Sequence, residues 1–286
     1  MPPRRLGATL AATVTTVAAV LSAAPAAHAD SLEYVALGDS YSAASGVQPS
    51  DPDASPLCLR SSLNYPHVIA AETGASLTDV TCGAAETRHF TAAQYPGVPP
   101  QVDALGADTD VVTMTIGGND SGVFISAILA CGSAGILALG QGSPCHDIYG
   151  SYFEDTIRDT TYPALVSALE AVRDKAPAAD VAILGYPWIL PATTGCFDKM
   201  PVADGDVPYL RGLQATLNDA VGRAAEATGV TYVDMSEASE GHDACQAPDV
   251  RWIEPVLQGS NPVVVHPNAQ GEAAMAGEAM DALGLS

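Results

Sequence analysis

Five short apolar runs, each breaking into a small or polar turn and separated by longer stretches, constrain this fold more than any other feature. The runs lie at residues 32–37, 77–81, 110–116, 181–185 and 231–234. Their β-branched and aromatic content reads as buried strands. Residues 65–73, 162–175, 207–228 and 269–283 read as helices, the first with its apolar residues on one helical face and the last rich in Ala and Met. Strand and helix in alternation build a parallel sheet covered by helices on both faces. Right-handed crossovers then bring every strand's carboxyl end to one edge. The expected fold is a three-layer α/β/α sandwich around a central, mostly parallel sheet of about five strands, of the flavodoxin-like kind.

Ahead of the first run, Arg4 and Arg5 precede an uncharged stretch at residues 6–24, and Ala27-His28-Ala29 follows. That is the layout of a cleaved secretory leader, so residues 1–29 are expected to be removed and the chain exported. The stretch is too mildly hydrophobic for a membrane anchor. Loss of Arg4 and Arg5 leaves 9 Lys and Arg against 33 Asp and Glu, a formal charge of −24. Such a surface repels phosphate backbones, which excludes nucleic acid as a partner. Residues 30–286 show no internal repeat and no low-complexity linker, so a single domain is expected. Cys58, Cys82, Cys131, Cys145, Cys196 and Cys245 are even in number and far apart. In an exported chain this favours three disulfides over metal binding, and spacing alone leaves the pairing open.

Residues 123–140 are mostly apolar and carry no charge, which raises the question of a membrane span. Three glycines interrupt the run, and Cys131 is expected to pair. A buried or groove-lining helix pair is the better reading.

The turns after the strands carry the chemistry. Gly38-Asp39-Ser40-Tyr41-Ser42 follows the first strand, and a serine there sits at the sheet edge where open α/β folds keep their ligand crevices. Gly38 permits a backbone geometry that other residues resist. Alone, Gly-Asp-Ser is also an ordinary turn sequence. The second strand exits into Cys82-Gly83-Ala84 and the third into Gly117-Gly118-Asn119-Asp120, while His266-Pro267-Asn268 precedes the last helix.

These four blocks, in this order and spacing, resemble the SGNH or GDSL hydrolase superfamily over essentially the whole of residues 30–286. The cysteine pattern and Tyr186-Pro187-Trp188 are similar to the secreted lipases and esterases of Streptomyces and related actinobacteria. The resemblance implies a serine ester hydrolase with Ser40 as nucleophile and His266 as its base. It implies an oxyanion hole of the Ser40 N–H, a glycine N–H in the second block and the Asn119 amide. Gly83 is the expected second donor, with Ala84 as the alternative because a strict alignment places it where the donor glycine falls. The resemblance also implies pairing of Cys58 with Cys82, Cys131 with Cys145, and Cys196 with Cys245.

One departure bears on mechanism: the family's aspartate three residues before the histidine is Val263 here. A Ser-His dyad is therefore expected, with the Val263 carbonyl orienting His266, and Asp243 or Asp249 as a lesser alternative supplied from a nearby loop. Asp39 and Asp120 read as acceptors that fix their turns. Trp188 and Trp252 read equally as groove lining or as ordinary core. His67, His89, His146 and His242 have no partners at metal-ligand spacing, so no metal and no cofactor is expected. A Gly-x-Ser-x-Gly elbow at Ser40, a phosphate-binding loop and a His-Glu-x-x-His helix are all missing from the sequence. The expected activity is cleavage of medium- to long-chain fatty acyl esters by a monomer acting on a lipid or small ester, with no integral membrane span. The rivals are a phospholipase A, a carbohydrate acetylesterase and a non-catalytic binding module on the same fold.

Overall fold

The backbone follows the apolar runs. A computed structural model describes residues 1–3 and 31–286. The expected leader at residues 1–29 lies, but for its first three residues, outside the described part. Ser31–Ser286 forms one compact unit. Its strands are β1 (Glu33–Ala36), β2 (Ser76–Asp79), β3 (Val111–Met114), β4 (Asp180–Leu184) and β5 (Thr231–Val233). They form one sheet in the order β2-β1-β3-β4-β5, and every neighbouring pair is parallel. All of β3, and all but the first residue of β1 and β4, are buried. Burial on both faces is why these strands read as unbroken apolar runs rather than alternating ones.

The helices are α1 (Tyr65–Thr73), α2 (Val123–Leu137), α3 (Pro144–Tyr149), α4 (Tyr152–Thr156), α5 (Tyr162–Lys175), α6 (Val207–Thr228), α7 (Met235–Ala238) and α8 (Ala269–Leu283). α1 packs with α8 and α5 with α6, which gives the three-layer arrangement. The core joins Leu37, Val112, Met114 and Ile183 of the sheet region to Leu165, Leu169, Val221 and Met275 of the helices.

The strand order places the site. Because β1 pairs with β2 on one side and β3 on the other, and Ala36 lies level with Asp79 and Thr113, three turns leave the same edge side by side. Those are the turns bearing Ala84, Ser40 and Asn119. The chain changes its direction of travel across the sheet at β1, which makes this edge the topological switch point.

Within residues 123–140 one expectation is corrected: Val123–Leu137 forms the single helix α2, which lines the groove, rather than a helix pair. Glycine is not a break here. A Cβ on Gly135 would come within 2.5 Å of the Pro201 carbonyl oxygen, so this glycine admits a crossing chain while the helix runs on. Val123, Ala127, Cys131 and Gly135 hold its buried side. The disulfides pair Cys58 with Cys82, Cys131 with Cys145, and Cys196 with Cys245. Each contributes on the order of 2–4 kcal/mol, and the first ties down the turn that follows β2.

Candidate active site

Ser40 stands on a turn that side chains fix from three directions. Gly38 has φ +125°, and a Cβ there would lie 2.5 Å from both Thr115 O and Ser42 Oγ, so no other residue fits. Gln101 mimics a strand neighbour: its Oε1 accepts the Gly38 N–H at 2.7 Å and its Nε2 donates to the Gly38 carbonyl at 3.0 Å. Asp39 Oδ1 accepts from Tyr41 N at 3.0 Å and from Thr115 Oγ1 at 2.8 Å. Asp39 Oδ2 accepts from Tyr186 OH at 2.5 Å, and the same hydroxyl accepts the Gly118 N–H at 2.9 Å. One carboxyl thus links the turn after β1 to the turn after β3. Burial pushes the Asp39 pKa up to about 6 against these hydrogen bonds. Asp120 is used alike, its two oxygens accepting from Thr87 N and Thr87 Oγ1, and burial pushes it up to about 6 as well.

His266 Nε2 lies 2.7 Å from Ser40 Oγ. Its Nδ1 lies 2.7 Å from the carbonyl oxygen of Val264, not of Val263. The correction has a local cause: Val265 adopts φ +60°, a left-handed turn that swings the carbonyl two residues back, rather than three, onto the ring. This conformation is rare for a β-branched residue. It is held from both sides, since the Val265 carbonyl accepts from Tyr41 OH at 2.7 Å and its N–H donates to the Glu254 carbonyl at 2.8 Å. A carbonyl can only accept, so Nδ1 carries the ring proton and Nε2 turns its lone pair to Ser40. Asp243 accepts from Cys245 N and Gln246 Nε2 within its own turn, and Asp249 is exposed. Neither is hydrogen-bonded to His266.

Burial holds the His266 pKa below its ordinary 6.5, opposed only by the Val264 carbonyl. The imidazole is therefore a free base at neutral pH. On a soluble ester, kcat/KM is expected to fall on the acid side below pH 6.5, as His266 gains its proton and as Asp39 and Asp120, at about 6, gain theirs and loosen the turns they fix. A pH profile with its limb above that value would require a carboxylate partner for the ring.

Three N–H donors surround Ser40 Oγ's turn. The Ser40 N–H has no acceptor among the described residues. Gly83 is the wrong choice for the second donor: its N–H is consumed by the Cys58 carbonyl at 2.7 Å, because the Cys58–Cys82 disulfide holds those two segments together. The next residue, Ala84, has φ +60°, is exposed and leaves its N–H without an acceptor among the described residues. Asn119 donates from Nδ2 to the Ala85 carbonyl at 3.0 Å. That bond orients the amide and leaves its second N–H for a ligand.

Several supporting groups carry no motif. Asn268 caps α8 by accepting from Gln270 N and Gly271 N, while its Nδ2 donates to Glu254 Oε1 at 3.1 Å and to the Arg251 carbonyl at 2.9 Å. Glu254 is paired with Arg251 at 2.7 Å, both buried. Asn at a helix start is a legible cap signal, whereas the Arg251–Glu254 pair has no signature. Behind the site lies an apolar cavity of about 250 Å³ lined by Gly118, Val265, Phe124, Ile128, Leu213 and Leu217 among others. Trp188 is not in it: its Nε1 donates to the Ser236 carbonyl and the Arg211 guanidinium sits 3.6 Å above its ring. Trp252 stacks on His242 instead, with ring centroids 4.2 Å apart.

Comparison with known proteins agrees with this geometry. Residues 36–274 match the GDSL-like Lipase/Acylhydrolase family. The chain is 62% identical to Lipase 2 of Streptomyces coelicolor, with 100% of both chains covered. An extracellular lipase from Streptomyces rimosus superposes with TM-score 0.73 at 27% identity, covering 88% of this chain and all of that one. A phospholipase A1 from Streptomyces albidoflavus superposes with TM-score 0.71 at 28% identity, covering 89% of this chain and 98% of that one.

Proposed function

The chain belongs to the GDSL-like lipase/acylhydrolase family and is a lipase/esterase, and on that premise we propose that it is exported and cleaves fatty acyl esters through an acyl-enzyme on Ser40. The 2.7 Å contact between Ser40 Oγ and His266 Nε2, on a turn whose amides are all engaged except the N–H of Ser40 itself, carries this reading. Ser40 Oγ attacks the ester carbonyl as its proton passes to Nε2. The carbonyl oxygen becomes an oxyanion and meets the N–H groups of Ser40, Ala84 and Asn119 Nδ2. Collapse expels the alcohol, which takes the proton back from His266. Water then enters, gives a proton to the same nitrogen and attacks the acyl carbon, and the proton passes from Nε2 to Ser40 Oγ as that oxygen leaves, freeing the acid and restoring the serine. The Val264 carbonyl keeps the tautomer through both halves but brings no full charge to the imidazolium. Export is supported by three disulfides and by the extracellular S. rimosus relative.

The cavity supplies the acyl preference. Its lining by Phe124, Ile128, Leu213 and Leu217 offers an apolar seat to an acyl chain. Burying each methylene is worth about 0.8 kcal/mol, or about fourfold in kcat/KM. Across p-nitrophenyl esters from acetate to laurate, kcat/KM is expected to rise about fourfold per methylene while the chain is being buried and to level once the cavity is filled, with no turnover by Ser40→Ala. A maximum at acetate would move the enzyme to the acetylesterases. Phospholipid cleavage is the second reading, favoured by the phospholipase A1 relative, and release of fatty acid from phosphatidylcholine is its assay.

A further inference from the structure

α2 turns apolar side chains to solvent along the side where a surface helix ordinarily carries charge. Ile125, Leu129, Ile136 and Leu137 are 51, 62, 55 and 86% exposed. At about 100° per residue they fall within an arc of about 120°, and only a third of the Asp120–Leu137 stretch is buried. Leu129 and Ile136 also line the apolar cavity, so the stripe continues over the rim into it. No charged side chain occurs at residues 121–146, and no Lys or Arg at residues 89–157. The opposite side is immobilised by the Cys131–Cys145 disulfide and by the chain crossing at Gly135. An exposed apolar stripe on a fixed helix marks an interaction surface rather than a core defect.

We propose that the exposed stripe of α2 lies on the surface of neutral or zwitterionic lipid and passes ester chains from that surface into the cavity. The identity of the occupant rests on the lipid-ester reading above. Continuity with the cavity argues against a second copy of the chain, which on seating there would close the substrate's entry. Charge selects the lipid: adsorption to anionic bilayers draws on clustered Lys and Arg, whereas this chain has a net charge of −22 and a stripe without cations. Tied to the domain along its other side by the disulfide and the crossing chain, α2 lies against the lipid surface instead of spanning it.

The test uses Ser40→Ala protein, so that lipid is bound without being consumed. Co-sedimentation is measured with phosphatidylcholine vesicles and with vesicles in which a third of the lipid is phosphatidylserine. Binding to the neutral vesicles is expected, and weaker binding to the anionic ones. The double variant Ile125→Gln, Leu137→Gln touches neither the cavity nor the catalytic groups and keeps a good helix former at both positions. It is expected to lower partition onto phosphatidylcholine by about tenfold per side chain. With Ser40 present, the same variant is expected to cleave dissolved p-nitrophenyl butyrate at the parental rate, which certifies its fold, and to lose at least tenfold on an emulsified long-chain ester. If the double variant fails on the dissolved ester, Leu137→Gln alone, at the last residue of the helix, replaces it. Absence of parental binding, equal binding by the variant, preference for phosphatidylserine, or conversion of a parental dimer to monomer each overturns the proposal. Loss of Ser40-dependent hydrolysis would strike the catalytic reading and leave the vesicle result standing.

Discussion

Substituting alanine for either Ser40 or His266 is expected to lower kcat on a soluble ester by about 10⁴- to 10⁶-fold, and the double variant to be hardly worse than either one. The two groups act as a unit: without Nε2 the hydroxyl keeps its proton, and without Oγ the imidazole has no nucleophile to serve. Both variants should fold. Ser40 is partly exposed and its side chain has no partner except His266 among the described residues, while the loop of His266 is held by Tyr41 and Glu254 through its backbone. Asp243→Asn and Asp249→Asn serve as controls and are expected to stay within a few-fold of the parent. Either of them falling as far as His266→Ala would mean that an acid completes a triad. Single-turnover and steady-state rates of the purified variants provide the measurement.

The second large effect is expected at Asn119. If Asn119 donates to charge that develops only in the transition state, as proposed, Asn119→Ala should lower kcat about 10²- to 10³-fold while KM changes little. The structure limits collateral damage: Asp120 keeps its two bonds from Thr87, and Gly118 keeps its bond to Tyr186. What the substitution does lose besides the donor is the bond to the Ala85 carbonyl. A variant with unchanged kcat and a raised KM would place Asn119 in substrate binding rather than in charge stabilisation.

The sheet was readable from sequence because parallel strands covered on both faces leave uninterrupted apolar runs, as in β3. The proposed roles of Ser40, Asn119 and His266 rest on the order and spacing of four blocks that resemble the family, because each block alone is an ordinary turn. α2 was less so. Periodicity finds a helix by its polar side, and here the outward residues Ile125, Leu129, Ile136 and Leu137 are as apolar as the inward ones, so nothing marked one helix from two. The second oxyanion donor depended on a contact between distant segments: only with Cys58 beside Gly83 is that amide spent and Ala84 left open. The histidine's partner was misplaced by one residue because a count along the chain assumed a side chain reaching forward from position 263. A valine in a left-handed turn has no sequence signal, since the conformation is imposed by Tyr41 and Glu254 from elsewhere in the fold.

On the mechanism proposed, the turn at Val265 would hide one participant from genetics. Mutagenesis edits side chains, and the oxygen that orients His266 belongs to the main chain of Val264, where every one of the twenty amino acids supplies it. An alanine scan of this loop would therefore single out His266 and pass over the main-chain oxygen that orients it. Only a change in the backbone itself, such as an ester bond replacing the peptide link that follows Val264 and weakening its carbonyl as an acceptor, would bring that participant into view.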